Sequence, residues 1–71
     1  MLNKILTIEG KKYLVTLSCK YNDLNYYFLI NMDNKRDYKY CYEKEGKLFE
    51  VLDADEVFRI AQLFSKQIIN N

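Results

Sequence analysis

One stretch of this chain, from Leu52 to Ile69, has apolar residues spaced as they are on an amphipathic α-helix. The residues that recur at intervals of three and four are Val57, Ile60, Ala61, Phe64 and Ile68. They form one apolar stripe on a helix of 3.6 residues per turn. Asp53 and Glu56 predict a capping box at its start, and Leu52 with Val57 predicts a hydrophobic staple. Everything before this helix must fold as strands and turns.

Turn-forming residues divide the chain before the helix into five stretches that have the composition of β-strands. Gly10, Gly46, the pair Asn22-Asp23 and the charged run 33–37 are typical of turns. Between them we expect strands over residues 2–8, 12–21, 26–32, 38–43 and 48–52. Strict alternation in the second strand predicts one buried face formed by Tyr13, Val15, Leu17, Cys19 and Tyr21. The third strand is the most continuously apolar, which predicts a central position in the sheet.

The order of these elements predicts an α+β fold. Consecutive strands joined by short turns pair as antiparallel neighbours, so the simplest sheet is a meander. A single sheet needs a cover, and the C-terminal helix is the only element that can provide one. We therefore expect one small domain over residues 1–71, an antiparallel meander of four to five strands covered on one face by the helix, in the order βββββα.

Composition and charge exclude several classes of function. Eleven basic and ten acidic residues leave a formal charge of +1, so no global field favours nucleic acid or an anionic membrane. No apolar run approaches the roughly 20 residues of a membrane span, and the first residues lack a signal-peptide pattern. Cys19 and Cys41 cannot form a usual zinc site without His. We expect a cytoplasmic protein with two free thiols, with a disulfide between strands as the alternative.

Two sets of residues are candidates for binding. Phe58, Leu63 and Ile69 lie beside the apolar stripe of the helix, so they belong either to the edge of the core or to an interface with a protein partner or a second copy. Tyr38, Lys39, Tyr40 and Tyr42 combine aromatic rings with a cation, as surfaces that stack single-stranded nucleic acid do. The alternative is that these tyrosines cover apolar surface while their hydroxyl groups stay wet.

The sequence offers little for catalysis. It has no His, no Gly-rich phosphate loop and no Ser or Cys with an activating partner nearby in sequence. The acidic set Glu50, Asp53, Asp55 and Glu56 does not predict a metal site, because three of its four members stand where a helix N-terminus favours negative charge. We therefore expect no enzyme and no cofactor.

The leading hypothesis is a small adaptor or inhibitor that binds another protein. Lys outnumbers Arg nine to two, and Asn, Ile and Tyr are abundant, as an AT-rich genome favours. This composition is typical of a low-GC bacterium or one of its mobile elements. The alternative is a nucleic-acid-binding module that uses the strands rich in Tyr and Lys.

The order of motifs also resembles a known family. The motifs are the runs 10–15, 26–30 and 38–43, followed by Glu45-Gly46-Lys47-Leu48 and by the acidic helix start at residues 51–57. In this order they resemble the YrzB-like small proteins of Gram-positive bacteria, a domain of unknown function. The resemblance implies no catalytic or binding residues.

Overall fold

Five antiparallel strands and one C-terminal helix make up the fold. The structure, a computed structural model, describes residues 2–69 and, of the last two of these, only the backbone. The elements are β1 (Ile5–Ile8), β2 (Lys11–Tyr21), β3 (Leu24–Asn31), β4 (Tyr38–Lys44), β5 (Lys47–Glu50) and α1 (Ala54–Ile69). The strands are ordered in the sheet as they are in the chain. The predicted α+β meander is confirmed, and β3 is its central strand.

Three of the four connections between strands are two-residue turns in which both residues have positive φ. These pairs are Glu9-Gly10, Asn22-Asp23 and Glu45-Gly46, with φ between 51° and 77°. Two consecutive residues with positive φ are typical of type I′ turns, whose twist matches that of the flanking strands. The turns fix the register of β1 on β2, of β2 on β3 and of β4 on β5.

The fourth connection, over residues 32–37, is held by the side chain of Asn31 at the end of β3. Its Oδ1 atom accepts the backbone N–H groups of Asp33 and Asn34 at 2.8 and 3.2 Å. Its Nδ2 atom donates to Oδ2 of Asp37 at 2.9 Å, and the Tyr13 hydroxyl donates to the same oxygen at 2.7 Å. One buried amide therefore organises the longest loop of the sheet and ties it to β2.

A β-bulge at Thr16 changes which side of the sheet the residues of β2 face. Val15 pairs with Leu29, whereas Leu17 pairs with Phe28, so two steps along β2 match one step along β3. The Thr16 hydroxyl donates to the carbonyl oxygen of Phe28 at 3.1 Å and so closes the irregular step. Because side chains alternate between faces, the extra residue reverses the alternation beyond it.

The predicted single buried face of β2 is therefore wrong. Tyr13 and Val15 belong to one apolar cluster with Tyr27, Leu29 and Cys41. Leu17, Cys19 and Tyr21 lie beyond the bulge and pack against a second cluster on the other side of the sheet. The expectation failed because strict alternation assumes an unbroken strand.

The first cluster fills the concave side of a sheet curled into a half-barrel. Val15, Leu29 and Cys41 are at most 1% exposed there, although no helix covers this side. Leu6 and Ile8 of β1 and Leu48 of β5 pack against the cluster from the two ends of the sheet. The sheet therefore covers its own concave face by curvature.

Helix α1 packs on the opposite, convex side. Ile60 and Phe64 are 0% and 3% exposed and lie in a cluster with Tyr26 and Val51. The Phe64 ring lies 6.3 Å from that of Phe28 and 6.1 Å from that of Tyr40, measured between ring centroids. Of the predicted stripe, Ile68 falls where the side chain is outside the described part of the chain.

The start of α1 differs in detail from the prediction. The Tyr26 hydroxyl donates to Oε2 of Glu56 at 2.9 Å, so this carboxylate ties the helix to β3 instead of returning to Asp53. Burial, then this hydrogen bond, raises the pKa of Tyr26 to about 12. Leu52 is 82% exposed, so the predicted staple with Val57 is not formed. The helix begins at Ala54, directly after the predicted N-cap Asp53.

Truncation of Phe64 tests the packing of α1 on the sheet. Phe64→Ala removes a ring that is 97% buried, and we expect the free energy of unfolding to fall by about 3–5 kcal/mol. Phe58→Ala is the matched control on the same helix, because Phe58 is 66% exposed and its loss should cost less than about 0.5 kcal/mol. Urea unfolding followed by circular dichroism measures both, and equal effects would contradict the observed helix orientation.

The Asp37 hydrogen bonds predict a dependence of stability on pH. Hydrogen bonds from Asn31 and then Tyr13 hold the pKa of Asp37 below its ordinary value of 3.8. A lowered pKa in the folded state adds stability above the unfolded-state pKa, and that stability is lost as pH falls through the folded-state pKa. Asp37→Asn should therefore be less stable than the native chain at pH 7. Thermal unfolding from pH 7 to pH 2 should show this difference shrinking below about pH 4; a difference constant with pH would contradict the assignment.

Candidate protein interface

Four apolar side chains from four neighbouring strands stand in one row on the convex side of the sheet. Ile5 pairs with Leu14, Leu14 with Ile30, and Ile30 with Tyr38. Residues directly opposite one another on neighbouring strands share a face, so all four project to the same side. Ile30 and Tyr38 stand two residues from Phe28 and Tyr40, which pack against the helix cluster, and this places the row on the helix side. We call these four residues the cross-strand row.

The cross-strand row is exposed to solvent at its two ends and half-buried between them. Ile5 and Tyr38, at its two ends, are 51% and 52% exposed, and Leu14 and Ile30 between them are half-buried. With neighbouring Cβ atoms roughly 5 Å apart, the row is about 15 Å long. Exposed apolar side chains in one contiguous group, as distinct from scattered ones, mark interaction surfaces.

Aromatic contacts hold one end of the row in place. The Tyr38 ring lies 5.5 Å from that of Phe28 and 5.9 Å from that of Tyr40. Phe28 and Tyr40 in turn contact the buried Phe64. Tyr38 is therefore an exposed aromatic ring on a rigid support, and such rings lose little conformational entropy when a partner covers them.

A shallow concavity of about 400 Å³ adjoins the middle of the row. Leu14, Ile30 and Met32 provide its apolar lining, and Lys35 also lines it. Met32 is 51% exposed, and its unbranched side chain can adapt to different apolar surfaces. The surface therefore combines the cross-strand row, one adaptable side chain and one cation.

The interface candidates on the helix do not form one surface. Phe58 is 66% exposed and stands beside Ala61 and Ser65 on one flank of α1. Leu63 is half-buried and packs against the helix-side cluster. Phe58 and Leu63 are five residues apart, so their side chains point roughly 140° away from each other around the helix axis. The third candidate, Ile69, has its side chain outside the described part of the chain.

The nucleic-acid candidates are also divided between two sides of the sheet. Tyr40 and Tyr42 are half-buried on the helix side, and Tyr38 alone of the three tyrosines is exposed. Lys39 lies on the concave side, 3.5 Å from Oε1 of Glu50 and 5.5 Å from the centroid of the Tyr13 ring. Strand alternation thus separates the cation from the rings that were expected to act with it.

The two thiols lie on opposite sides of the sheet. Cys19 pairs with Tyr26 and so faces the helix side, whereas Cys41 belongs to the concave cluster. Both residues are described, and both are free cysteines, so the alternative of a disulfide between strands is wrong for this fold. Burial raises the pKa of both thiols, that of Cys41 to about 11.

These environments predict different reactivity toward a thiol reagent. At pH 8 we expect Cys41 to be almost entirely in the thiol form, because burial raises its pKa to about 11. Reaction with Ellman's reagent should therefore be slow for Cys41 until the protein unfolds, and faster for the less buried Cys19. The variants Cys19→Ser and Cys41→Ser separate the two rates. Rapid modification of Cys41 in folded protein would contradict its burial.

Comparison with known proteins gives no match. No family model, no curated protein and no solved structure matches the chain. The resemblance to the YrzB-like proteins stays a prediction. Within residues 2–69, no helix is long and apolar enough to cross a membrane. In the same part of the chain, no three Cys, Asp or Glu side chains are grouped as metal ligands.

Sequence reasoning missed the cross-strand row. Its four residues are separated by 8 to 16 positions in the chain, and they become neighbours only through strand register. The turns at residues 9–10 and 22–23 would have aligned Ile5 with Leu14 and the end of β2 with β3. The bulge at Thr16 then shifts the second alignment by one residue, and no signal in the sequence locates that shift.

Proposed function

We propose that this protein is a non-enzymatic binding protein that acts on another protein through the cross-strand row. The single observation that carries this proposal is the alignment of Ile5, Leu14, Ile30 and Tyr38 on one exposed side of the sheet. Interfaces are enriched in aromatic residues and Met, and their energy concentrates in a few anchors on a well-packed support. Tyr38 and Met32 are residues of these types, at one end of the row and beside it.

The chemistry of the row indicates the complementary surface. The exposed Lys35 lines the concavity, and the exposed Lys12 is a cation of β2 on the same side of the sheet. An apolar partner surface with carboxylates at its margin would complement this arrangement, because rim charges steer association and suppress wrong partners. An adaptor or inhibitor in the cytoplasm of a bacterium is the role we propose for such a surface.

The nucleic-acid alternative has less support from the geometry. The exposed Tyr38 is separated from Lys39 by the sheet itself, and Lys39 already has Glu50 as an ion-pair partner. A binding surface for single strands needs bases and phosphates to be reached from one side. Fluorescence titration with single-stranded oligonucleotides at about 100 mM salt tests this alternative. We expect no binding, whereas binding that weakens as the salt concentration rises would support the alternative.

A photo-crosslinking residue at position 38 tests the proposed surface. Tyr38 is replaced by benzoylphenylalanine in cells that produce the protein, and we expect a crosslinked species containing a second protein. Ile30→Lys, in the same row, should abolish this species because it places a charge in the apolar contact. The same photoreactive residue at the exposed position of Phe58 is the matched control, and it should give no such species.

The oligomeric state completes this test. Sedimentation of the purified chain distinguishes a second copy from a different protein as the crosslinked partner, and circular dichroism checks that Ile30→Lys stays folded. A crosslink that persists in folded Ile30→Lys, or one equally strong from position 58, would contradict the proposal.

A further inference from the structure

The two edge strands of the half-barrel face one cleft on its concave side. A cleft of about 370 Å³ is lined by Leu6, Thr7 and Ile8 of β1 and by Leu48 and Glu50 of β5. Lys39 and Cys41 of β4 complete its lining. These strands are the first and last of the sheet, and within residues 2–69 neither has a strand paired on its outer side. The half-barrel is therefore open along one line, and both sides of that line are strand edges.

The hydrogen bonds of the sheet show which main-chain groups point into this opening. Val15 donates to the Lys4 carbonyl oxygen at 2.9 Å and accepts from the Asn3 N–H at 2.8 Å, so both main-chain groups of Val15 point toward the β1 segment. In an antiparallel pair of strands, hydrogen-bonded and non-hydrogen-bonded pairs alternate. Ile5 and Thr7 are therefore in non-hydrogen-bonded pairs with β2, and their N–H and C=O groups point outward from β1.

The same reasoning applies to β5. Val51 donates to the Tyr40 carbonyl oxygen at 2.7 Å, which makes this pair a hydrogen-bonded one. Counting back along the register, Glu50 and Leu48 pair with Cys41 and Glu43 without hydrogen bonds between them. Their N–H and C=O groups point outward from β5. Each edge thus offers the main-chain groups of two residues.

Strand direction decides what can occupy the opening. A meander of five strands has its first and last strands parallel to each other, because direction alternates at every turn. Direct pairing of β1 with β5 would join parallel strands in an otherwise antiparallel sheet. One additional strand between them would run antiparallel to both and would continue the alternation around a closed six-stranded barrel.

We propose that this cleft binds an extended segment of a partner protein as a sixth strand between β1 and β5. Each edge strand has four residues, so the segment that pairs is about as long. Its alternate side chains would face Cys41, Leu6, Ile8 and Leu48, which calls for small or medium apolar residues at every second position. Lys39 and Glu50 form an ion pair with each other in the cleft wall, so the segment needs no net charge.

This site is distinct from the cross-strand row, which lies on the opposite side of the sheet; they share only Ile5, whose side chain is in the row and whose main-chain groups are at the β1 edge. The occupant is recognised by main-chain hydrogen bonds, whereas the row would bind by apolar contact. Loss of either binding activity therefore leaves the other measurable.

Hydrogen exchange with a selected peptide tests the proposal. The probe is an octapeptide selected on the folded protein from a phage-displayed random library. In the free protein, the amides of Ile5, Thr7, Leu48 and Glu50 should exchange quickly, and those of Leu6, Ile8 and Phe49 slowly. The peptide should slow exchange of amides in the first group, should show alternating apolar residues, and should bind Ile30→Lys as tightly as the native chain.

A matched pair of variants at position 7 separates main-chain from side-chain recognition. Thr7→Pro removes only an outward N–H from an edge strand, where Pro is tolerated. It should weaken peptide binding by about tenfold, as expected for a lost main-chain hydrogen bond. Thr7→Val keeps the N–H and should bind normally. N-methylation of the peptide at alternate residues makes the same test without altering the protein, and only one of the two alternating sets should abolish binding.

Three results would overturn the proposal. The first is that selection yields no binding peptide. The second is a peptide that binds Thr7→Pro and both N-methylated forms as tightly as their unmodified counterparts. The third is protection of the edge amides that grows with protein concentration alone, which would make a second copy of this chain the occupant.

Discussion

The β-bulge at Thr16 is the feature on which the rest of this structure depends. With strict alternation over its eleven residues, β2 would place Tyr13, Val15, Leu17, Cys19 and Tyr21 on one side, and Leu14 would be its one apolar residue on the other. The extra residue lets the first part of β2 contribute Tyr13 and Val15 to the concave cluster, and the second part contribute Leu17, Cys19 and Tyr21 to the helix side. Bulges also increase local twist and bend the strand. The extra residue at Thr16 therefore accounts for the apolar packing on both sides of β2 and favours the curvature of the sheet.

With two apolar clusters, this short chain buries apolar side chains on both sides of its sheet. A flat five-stranded sheet with one helix would leave a whole face exposed, and a domain of about 70 residues has little burial to spare. Curvature buries the concave side without a second helix, as the exposures of 0% at Val15 and Leu29 show. The polar groups at this side are satisfied as well, since the Tyr13 and Asn31 side chains share the Asp37 carboxylate. The cost of curvature is that the edges β1 and β5 are brought to face each other while still unpaired.

The sequence was sufficient for the elements and their order, because these depend on local signals. Helical spacing identified α1, and the turns at Gly10, Asn22-Asp23 and Gly46 separated the strands. The sequence was insufficient for the sides of the sheet, because one inserted residue in β2 reverses them and Thr16 is an ordinary strand residue. That single reversal accounts for the mistaken face of β2. The separation of Lys39 from the neighbouring tyrosines could have been predicted from alternation alone, and the row of Ile5, Leu14, Ile30 and Tyr38 required the full register.

The strictly sequential pairing of the strands has a consequence for how this chain folds. Every β-contact joins neighbours in sequence, and three of the four connections are turns of two residues. Closing each of these loops therefore costs little conformational entropy, and every strand pairs with a segment that is close to it in sequence. Any of the three tight hairpins can form first and extend outward to both ends. The helix is the exception, since Phe64 must find Phe28 and Tyr40 after the sheet that carries them exists. We therefore expect α1 to dock only after β3 and β4 have paired.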